Sequence, residues 1–257
     1  VNLCDSRQVA RVFNEHNITH VVHLAAESHV DSSILDPGAF INTNVVGTYN
    51  LLQAARKHSV RFHHVSTDEV YGALGDTGKF TEKTSYDPRN PYSASKAASD
   101  FLVLAYYHTY GLRVTISNCS NNYGPRQHKE KFIPKIISCL LSGNKIPLYG
   151  TGTNVRDWIY VKDHCEGIWS ILKNGVIGET YCIGANCEKR NIEIIKEICA
   201  VMELDSGKSI EYVADRLGHD FRYAIDSTKI MKNLDWAPET SFDVGIRQTI
   251  RWYNERD

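Results

Sequence analysis

The sequence predicts an α/β fold, a doubly wound parallel sheet wrapped by helices on both faces and followed by a smaller mixed α/β lobe. Three observations carry this. Short β-branched apolar runs at Ile18–Leu24, 61–66 and 112–116 read as buried parallel strands. Segments of helical period, 42–58 and 92–110, alternate with them, the order expected of a sheet covered on both faces. After Tyr123-Gly124-Pro125-Arg126 the elements become shorter and mixed, which marks a second lobe. The expected division is 1–125 and 126–257, with some elements of the second part returning to the first.

In chain order, residues 1–3 read as a strand fragment, and Asp5-Ser6 as the cap of a helix over 7–16. The apolar run 18–24 ends in Ala25-Ala26, whose small side chains let other groups approach the backbone. Val45, Val46, Tyr49, Leu52 and Ala55 lie near helical spacing and predict the helix 42–58. Strand 61–66 follows, then a loop over 72–90 rich in Gly, Asp, Thr and Pro. Pro91 near the first turn marks the start of the helix reaching Tyr110. In the second lobe, helices are expected at 132–141, 163–173, 191–202, 227–233 and 244–254. Short strands are expected at 146–149, 155–161, 180–183 and near Ile210.

A chain of 257 residues holds one α/β domain, or a domain with a smaller lobe. Its 42% apolar and 23% charged content is that of a soluble globular protein. Twenty-nine basic and 30 acidic residues give a formal charge of −1, so nothing electrostatic points to nucleic acid or a membrane. No apolar run reaches membrane-spanning length and no signal-peptide pattern opens the chain. Seven cysteines without Cys-x-x-Cys pairs read as reduced thiols in a cytoplasmic protein. His63-His64 lacks metal-ligand spacing, and no metal is expected.

The chemistry concentrates between Val65 and Lys96. A strand ends in Ser66-Thr67-Asp68-Glu69, and a helix begins at Asn90-Pro91-Tyr92-Ser93-Ala94-Ser95-Lys96. Tyr92 and Lys96, four residues apart, share a helix face. An ammonium beside a phenol favours phenolate, and such a Tyr can take a proton from a sugar hydroxyl. Alone, Tyr-x-x-x-Lys is a weak signal, and an acidic pair at a strand end is most often a solvated loop. Together they point to a site.

Ser66-Thr67 with Tyr92 and Lys96 resembles the catalytic set of extended short-chain dehydrogenases/reductases, and Asp68-Glu69 narrows the resemblance to nucleotide-sugar 4,6-dehydratases. The resemblance runs from Leu24-Ala25-Ala26-Glu27-Ser28 to Asp215-Arg216-Leu217-Gly218-His219. It implies a Rossmann-like first domain, a sugar-nucleotide lobe, tightly held NAD and a homodimer built through the helices near 42–58 and 92–110. The implied reaction converts dTDP-glucose to its 4-keto-6-deoxy derivative, with UDP-glucose the main rival substrate. A C4 ketone makes the C5 hydrogen acidic, because the carbanion is then an enolate. By resemblance Tyr92 is the base at the C4 hydroxyl, Lys96 lowers its pKa and holds the nicotinamide ribose, and Thr67 bonds the C4 oxygen. Glu69 takes the C5 proton and protonated Asp68 serves the departing C6 hydroxyl.

The same resemblance assigns Asn2, Leu3, Leu24, Ala25, Ala26, Thr43 and Asn122 to the cofactor. Asn2-Leu3 stands where the family has Asp-Ile against adenine, so the contact lacks its charge. Ser28, Asn121, Lys131, Phe132, Pro147, Tyr149, Arg156, Asn191, Arg216 and His219 are assigned to the substrate. A guanidinium such as Arg156 forks onto two diphosphate oxygens; it could equally pair with Asp157 at a rim. Asn191 could cap the helix it begins. Leu217 replaces a Pro of the family, and Phe221 stands where a second Arg is common. No G-x-x-G-x-x-G turn follows an early strand, so about 60 family residues, two βα units, are expected to be missing ahead of Val1. Two other readings share parts of these residues. An epimerase uses Tyr92 and Lys96 without the acid pair, and a non-catalytic scaffold binds without NAD.

Overall fold

The computed structural model describes residues 1–215 and 219–255. The chain opens with a turn and not the expected strand fragment: Asn2 Oδ1 accepts from Cys4 N at 2.9 Å, and Asp5 N donates to Asn2 O at 3.1 Å. Among the described residues no strand adjoins this segment, so its backbone groups pair locally. Asp5 caps α1 (Ser6–Glu15), which buries Val9 and Phe13. Strand β1 (His20–His23) leads to α2 (Val30–Leu35) and α3 (Pro37–Phe40), neither of which the sequence period marked. The expected helix at 42–58 is two pieces. Ile41–Val46 is π-helical, and α4 (Gly47–Lys57) is regular. Asn44 O accepts from Thr48 Oγ1 at 2.5 Å and Ser99 Oγ at 2.7 Å, and these hydroxyls compete for a carbonyl of the wide turn.

Strand β2 (Arg61–Thr67) runs into a 3₁₀ turn, Asp68–Tyr71. Helix α5 (Pro91–Tyr110) starts in a capping box, Ser93 N to Asn90 Oδ1 at 2.8 Å and Asn90 N to Ser93 Oγ at 3.2 Å. It stops at Gly111, whose left-handed φ of 66° suits glycine. Strand β3 (Val114–Cys119) is followed by β4 (Asn121–Tyr123), α6 (Phe132–Leu141), β5 (Ile146–Tyr149) and β6 (Val155–Tyr160). Then come α7 (Val161–Asn174), β7 (Thr180–Ile183), β8 (Glu188–Arg190), α8 (Asn191–Val201) and α9 (Ser206–Ser209). The last elements are β9 (Ile210–Val213), α10 (Thr228–Leu234) and α11 (Phe242–Asn254).

The main sheet has the order β1-β2-β3-β7, parallel throughout. On one face Leu52 of α4, Val103 of α5 and Phe13 of α1 pack on Phe62 and Ile116. On the other, Ile168 and Ile171 of α7 and Ile230 of α10 pack on Tyr181 and Ile183 of β7. The sheet is covered on both faces, yet its central strands are mixed and not continuous apolar runs: buried His63 of β2 bonds Thr115 and Ser117 of β3 at 2.9 and 3.1 Å. The second core joins α6, α8 and α11 around Ile133, Trp158, Ile194 and Ile246. Sheet β4-β6-β8 and ribbon β5-β9 support it. The residues at the β2 and β4 ends face each other between these two cores. Among the described residues no helix is long and apolar enough to cross a membrane, and no group of three potential ligands could hold a metal ion. All seven cysteines are free.

Candidate active site

The site is built on the C-terminal end of β2 and the first turn of α5. Thr67 ends the strand and caps the 3₁₀ turn: its Oγ1 accepts from Glu69 N at 3.3 Å and lies 3.3 Å from Asp68 Oδ1. The turn sends two consecutive carboxyls into the interior. Burial, and then the neighbouring Glu69 and Asp157, hold Asp68 well above the ordinary carboxylate range. Asp68 Oδ2 is buried without a hydrogen-bond partner. Burial also raises Glu69, but Arg156 and a 3.4 Å bond from Asn90 Nδ2 pull it back. Both carboxyls are raised, but their surroundings diverge: two close neighbours oppose the rise at Glu69, while Asp68 is held well up and favoured as the acid.

Tyr92 is 8% exposed in the first turn of α5. Its phenol is held well above its ordinary value by burial and then by Glu69, against the lowered value expected from the sequence. Burial is the main reason; Lys96 Nζ donates to Val65 O at 2.9 Å, which seats the ammonium on β2. A hydrogen bond with Thr67 opposes the rise at Tyr92.

A pocket of about 90 Å³ opens over Glu69, lined by Asn90, Asn121, Arg156, His219, Asp220 and Tyr223 among others. Arg156 lies over the Tyr223 ring at 4.2 Å and donates to Asp220 O at 3.0 Å. It makes no rim pair with Asp157, which accepts instead from Cys187 N at 2.8 Å. His219 Nδ1 sits 2.7 Å from Asp215 Oδ1, with its ring edge to Tyr149 at 6.3 Å. Tyr149 OH donates to Asp31 Oδ2 at 3.4 Å, and Lys131 Nζ to Ser28 O at 2.5 Å, which draws the second lobe onto the segment after β1. Phe132 stacks on Trp158 at 6.2 Å, and Pro147 lies half-buried in β5. Asn191 is the first residue of α8 and not its cap; Arg190 precedes it, with its N–H donating to Glu193 Oε2 at 2.7 Å. Arg216 lies outside the described residues. Phe221 is exposed, and its carbonyl accepts from Val155 N at 2.9 Å.

On the β1 side, Leu24 and Ala25 are exposed just past the strand and Ala26 is half-buried, a low wall that a flat ring can approach. Asn122 Nδ2 donates to Ser120 O at 3.1 Å, while its Oδ1 is buried with no partner. Thr43 is half-buried in the π-helical turn. Asn2 turns its Oδ1 to Cys4 N, and Leu3 O accepts from Asn50 Nδ2 at 2.8 Å, which ties the first turn to α4. An unpartnered amide oxygen, an open small-residue wall and a buried lysine fit the nicotinamide end of a dinucleotide.

Sequence reasoning missed Asn90, Asp100, Asp220 and Tyr223. Asn90 carried a signal, since Asn before Pro at a helix start is a capping pattern. Asp100 lies one turn beyond Lys96 on the same face. Asp220 and Tyr223 carry none, because only the fold brings them over Glu69.

A family model described as GDP-mannose 4,6 dehydratase matches residues 1–249. The dTDP-glucose 4,6-dehydratase of Xanthomonas campestris pv. campestris is 53% identical, over 97% of this chain and 76% of its own length. A dTDP-glucose 4,6-dehydratase of Escherichia coli is 49% identical, over 98% of this chain and 77% of its own. The crystal structure of DesIV, a dTDP-glucose 4,6-dehydratase from Streptomyces venezuelae with NAD bound, superposes with a TM-score of 0.96 at 46% identity, covering 100% of this chain and 79% of that one. With the Tyr92–Lys96 pair and the buried Asp68-Glu69 step in place, the chain belongs to the GDP-mannose 4,6 dehydratase family and sits among its dTDP-glucose 4,6-dehydratases.

Proposed function

We propose that the protein is an NAD-dependent hydro-lyase that converts dTDP-glucose to dTDP-4-keto-6-deoxy-glucose. The observation that carries this reading is the adjacent Asp68 and Glu69 carboxyls beside Tyr92, with Asp68 held well above its ordinary value and the rise at Glu69 opposed by Arg156 and Asn90. NAD, when bound, supplies the acceptor of the C4 hydride and the donor of the same hydride to C6.

The chain's own groups do the rest. Thr67 Oγ1 bonds the C4 oxygen and sets its orientation. Tyr92 removes the C4 hydroxyl proton, and the charge of Lys96 favours the phenolate that does so. Once C4 is a ketone, Glu69 takes the C5 proton, and a proton exchanged with solvent returns to C5 from Glu69 when the hydride reaches C6. Asp68, held protonated by burial, gives its proton to the C6 hydroxyl, which leaves as water. Arg156 and Asn121 receive the substrate diphosphate, with Lys131, Ser28, Tyr149 and His219 around the nucleotide. Leu24, Ala25, Ala26, Thr43 and Asn122 take the cofactor, with Asn2 and Leu3 toward its adenine.

Two copies pair through α4 and α5, whose Tyr49, Phe101 and Tyr110 are exposed apolar side chains on a surface of one chain. The free thiols suit a cytoplasmic enzyme. Assaying the purified protein with dTDP-glucose and with UDP-glucose tests the reading. Selective loss of dTDP-glucose with appearance of the keto product is expected. Equal or better use of UDP-glucose overturns the base assignment, and no product from either overturns the activity.

A further inference from the structure

The dehydration chemistry leaves one buried carboxylate unused. Asp100 follows Lys96 by one turn of α5 and has no solvent exposure. Its Oδ2 accepts from Ser66 Oγ at 2.8 Å, Tyr86 OH at 2.9 Å and Asn118 Nδ2 at 3.4 Å. Its Oδ1 lies 3.2 Å from His64 Nε2. Asn118 Nδ2 also donates to Thr67 O at 3.1 Å, so the groups that fix this carboxylate are those that fix the end of β2. Such a set of donors is built for an anion.

The titratable groups around it are few. His64 faces it from β2, Tyr71 and Tyr86 from the segment after β2, and Lys96 from its own helix. Burial keeps His64 neutral and both tyrosines as phenols. Lys96, one turn earlier on α5, donates to Val65 O at 2.9 Å, between the two β2 residues that Asp100 touches, His64 and Ser66. Lys96 is itself only 4% exposed, and burial favours its neutral amine; the Asp100 charge is the largest influence in the opposite direction.

We propose that Asp100 is a positioning residue whose anchored carboxylate keeps the Lys96 ammonium charged and seated on β2. The proposal rests on the reading of Tyr92 and Lys96 as the proton-transfer pair. A purely structural Asp100 would tie α5 to β2 and β3 and leave the charge of Lys96 alone.

The test is Asp100→Asn, which keeps the size and an acceptor and removes the charge. Two quantities are read on the holoenzyme: the titration of Lys96 by NMR of ε-¹³C-labelled lysine, assigned with Lys96→Arg, and the pH profile of kcat/KM for dTDP-glucose. The expected result is a Lys96 titration about one pH unit or more below wild type, with the alkaline limb of the profile displaced by the same amount. If Asp100→Asn does not fold, Tyr86→Phe removes one donor and is expected to move both readouts the same way by less. A Lys96 titration and alkaline limb that stay at their wild-type positions, with or without a loss of thermal stability, overturn the proposal. Wild-type protein that does not turn over dTDP-glucose overturns the dehydratase reading instead, and the Lys96 titration still decides the Asp100 proposal.

Discussion

Asp68 and Glu69 are neighbours in sequence with different surroundings, and that difference is what the chemistry needs. Arg156 and Asn90 hold Glu69 toward its anion, whereas Asp68 has a buried oxygen with no partner. Glu69→Gln would remove the base proposed at C5 and not the groups proposed at C4. It is expected to lower kcat for product formation by about 10²–10⁴-fold while substrate-dependent formation of reduced cofactor persists, as single-turnover absorbance would record. Asp100 shows the cost of such an interior. Burial pushes its carboxyl up to about 6 from an unfolded 3.8. A raised carboxyl stabilises the fold below the unfolded value, and the benefit is lost as pH rises through the folded one. Ionised Asp100 then costs about 3 kcal/mol at neutral pH. Between pH 4 and 7 the Tm of Asp100→Asn should therefore shift upward relative to wild type. At this scale the sequence was legible where placement follows spacing, as for Tyr92 and Lys96 in the first turns of α5. It was not legible for the direction of the Tyr92 shift, because burial depends on what folds over the residue.

Among the elements, the strands and long helices could be read because apolar period and burial coincide. β2, α5, α6 and β7 lie where the pattern places them, within a residue or two at the ends. The π-helical turn at Ile41–Val46 was hidden, since hydroxyls from Thr48 and from distant Ser99 compete for its carbonyl. The strand expected at residues 1–3 needed a partner that sequence period cannot supply. The start of α5 joins local structure to catalysis. Asn90 caps the helix and its Nδ2 donates to Glu69. Asn90→Ala should cost about 1 kcal/mol in urea unfolding. It should also raise the Glu69 value further, because the bond it removes favours the carboxylate. The acid limb of the kcat/KM profile should then move to higher pH, and an unmoved limb would separate the cap from the site.

For the whole molecule, the interior carries neutral histidines. Burial lowers His23 to about 2, His63 to about 3 and His164 to about 4, and keeps His64 well below its ordinary value. Lowered histidines stabilise the fold fully above the unfolded value near 6.5, and the contribution is lost as pH falls toward the folded values. Each adds a slope of about 1.4 kcal/mol per pH unit in that window. The raised carboxyls of Asp68, Glu69, Asp100 and Asp157 act in the opposite sense in that window, so the histidine contribution is read by difference: between pH 6.5 and 4 His63→Gln should lose less Tm than the wild type. The lobe arrangement was legible only in outline. The return of β7 to the main sheet, and the meeting of Arg156, Asp220 and Tyr223 over Glu69, arise from contacts between segments far apart in the chain.

The measurement that bears most directly on the dehydratase account is the fate of the C4 hydrogen. The purified protein, supplied with NAD, is incubated with dTDP-glucose carrying deuterium at C4, and the products are read by NMR. The account predicts a 4-keto-6-deoxy product with that deuterium at C6 and solvent hydrogen at C5. Deuterium retained at C4 of a recovered hexose or its C4 epimer, with no 6-deoxy product, would contradict it.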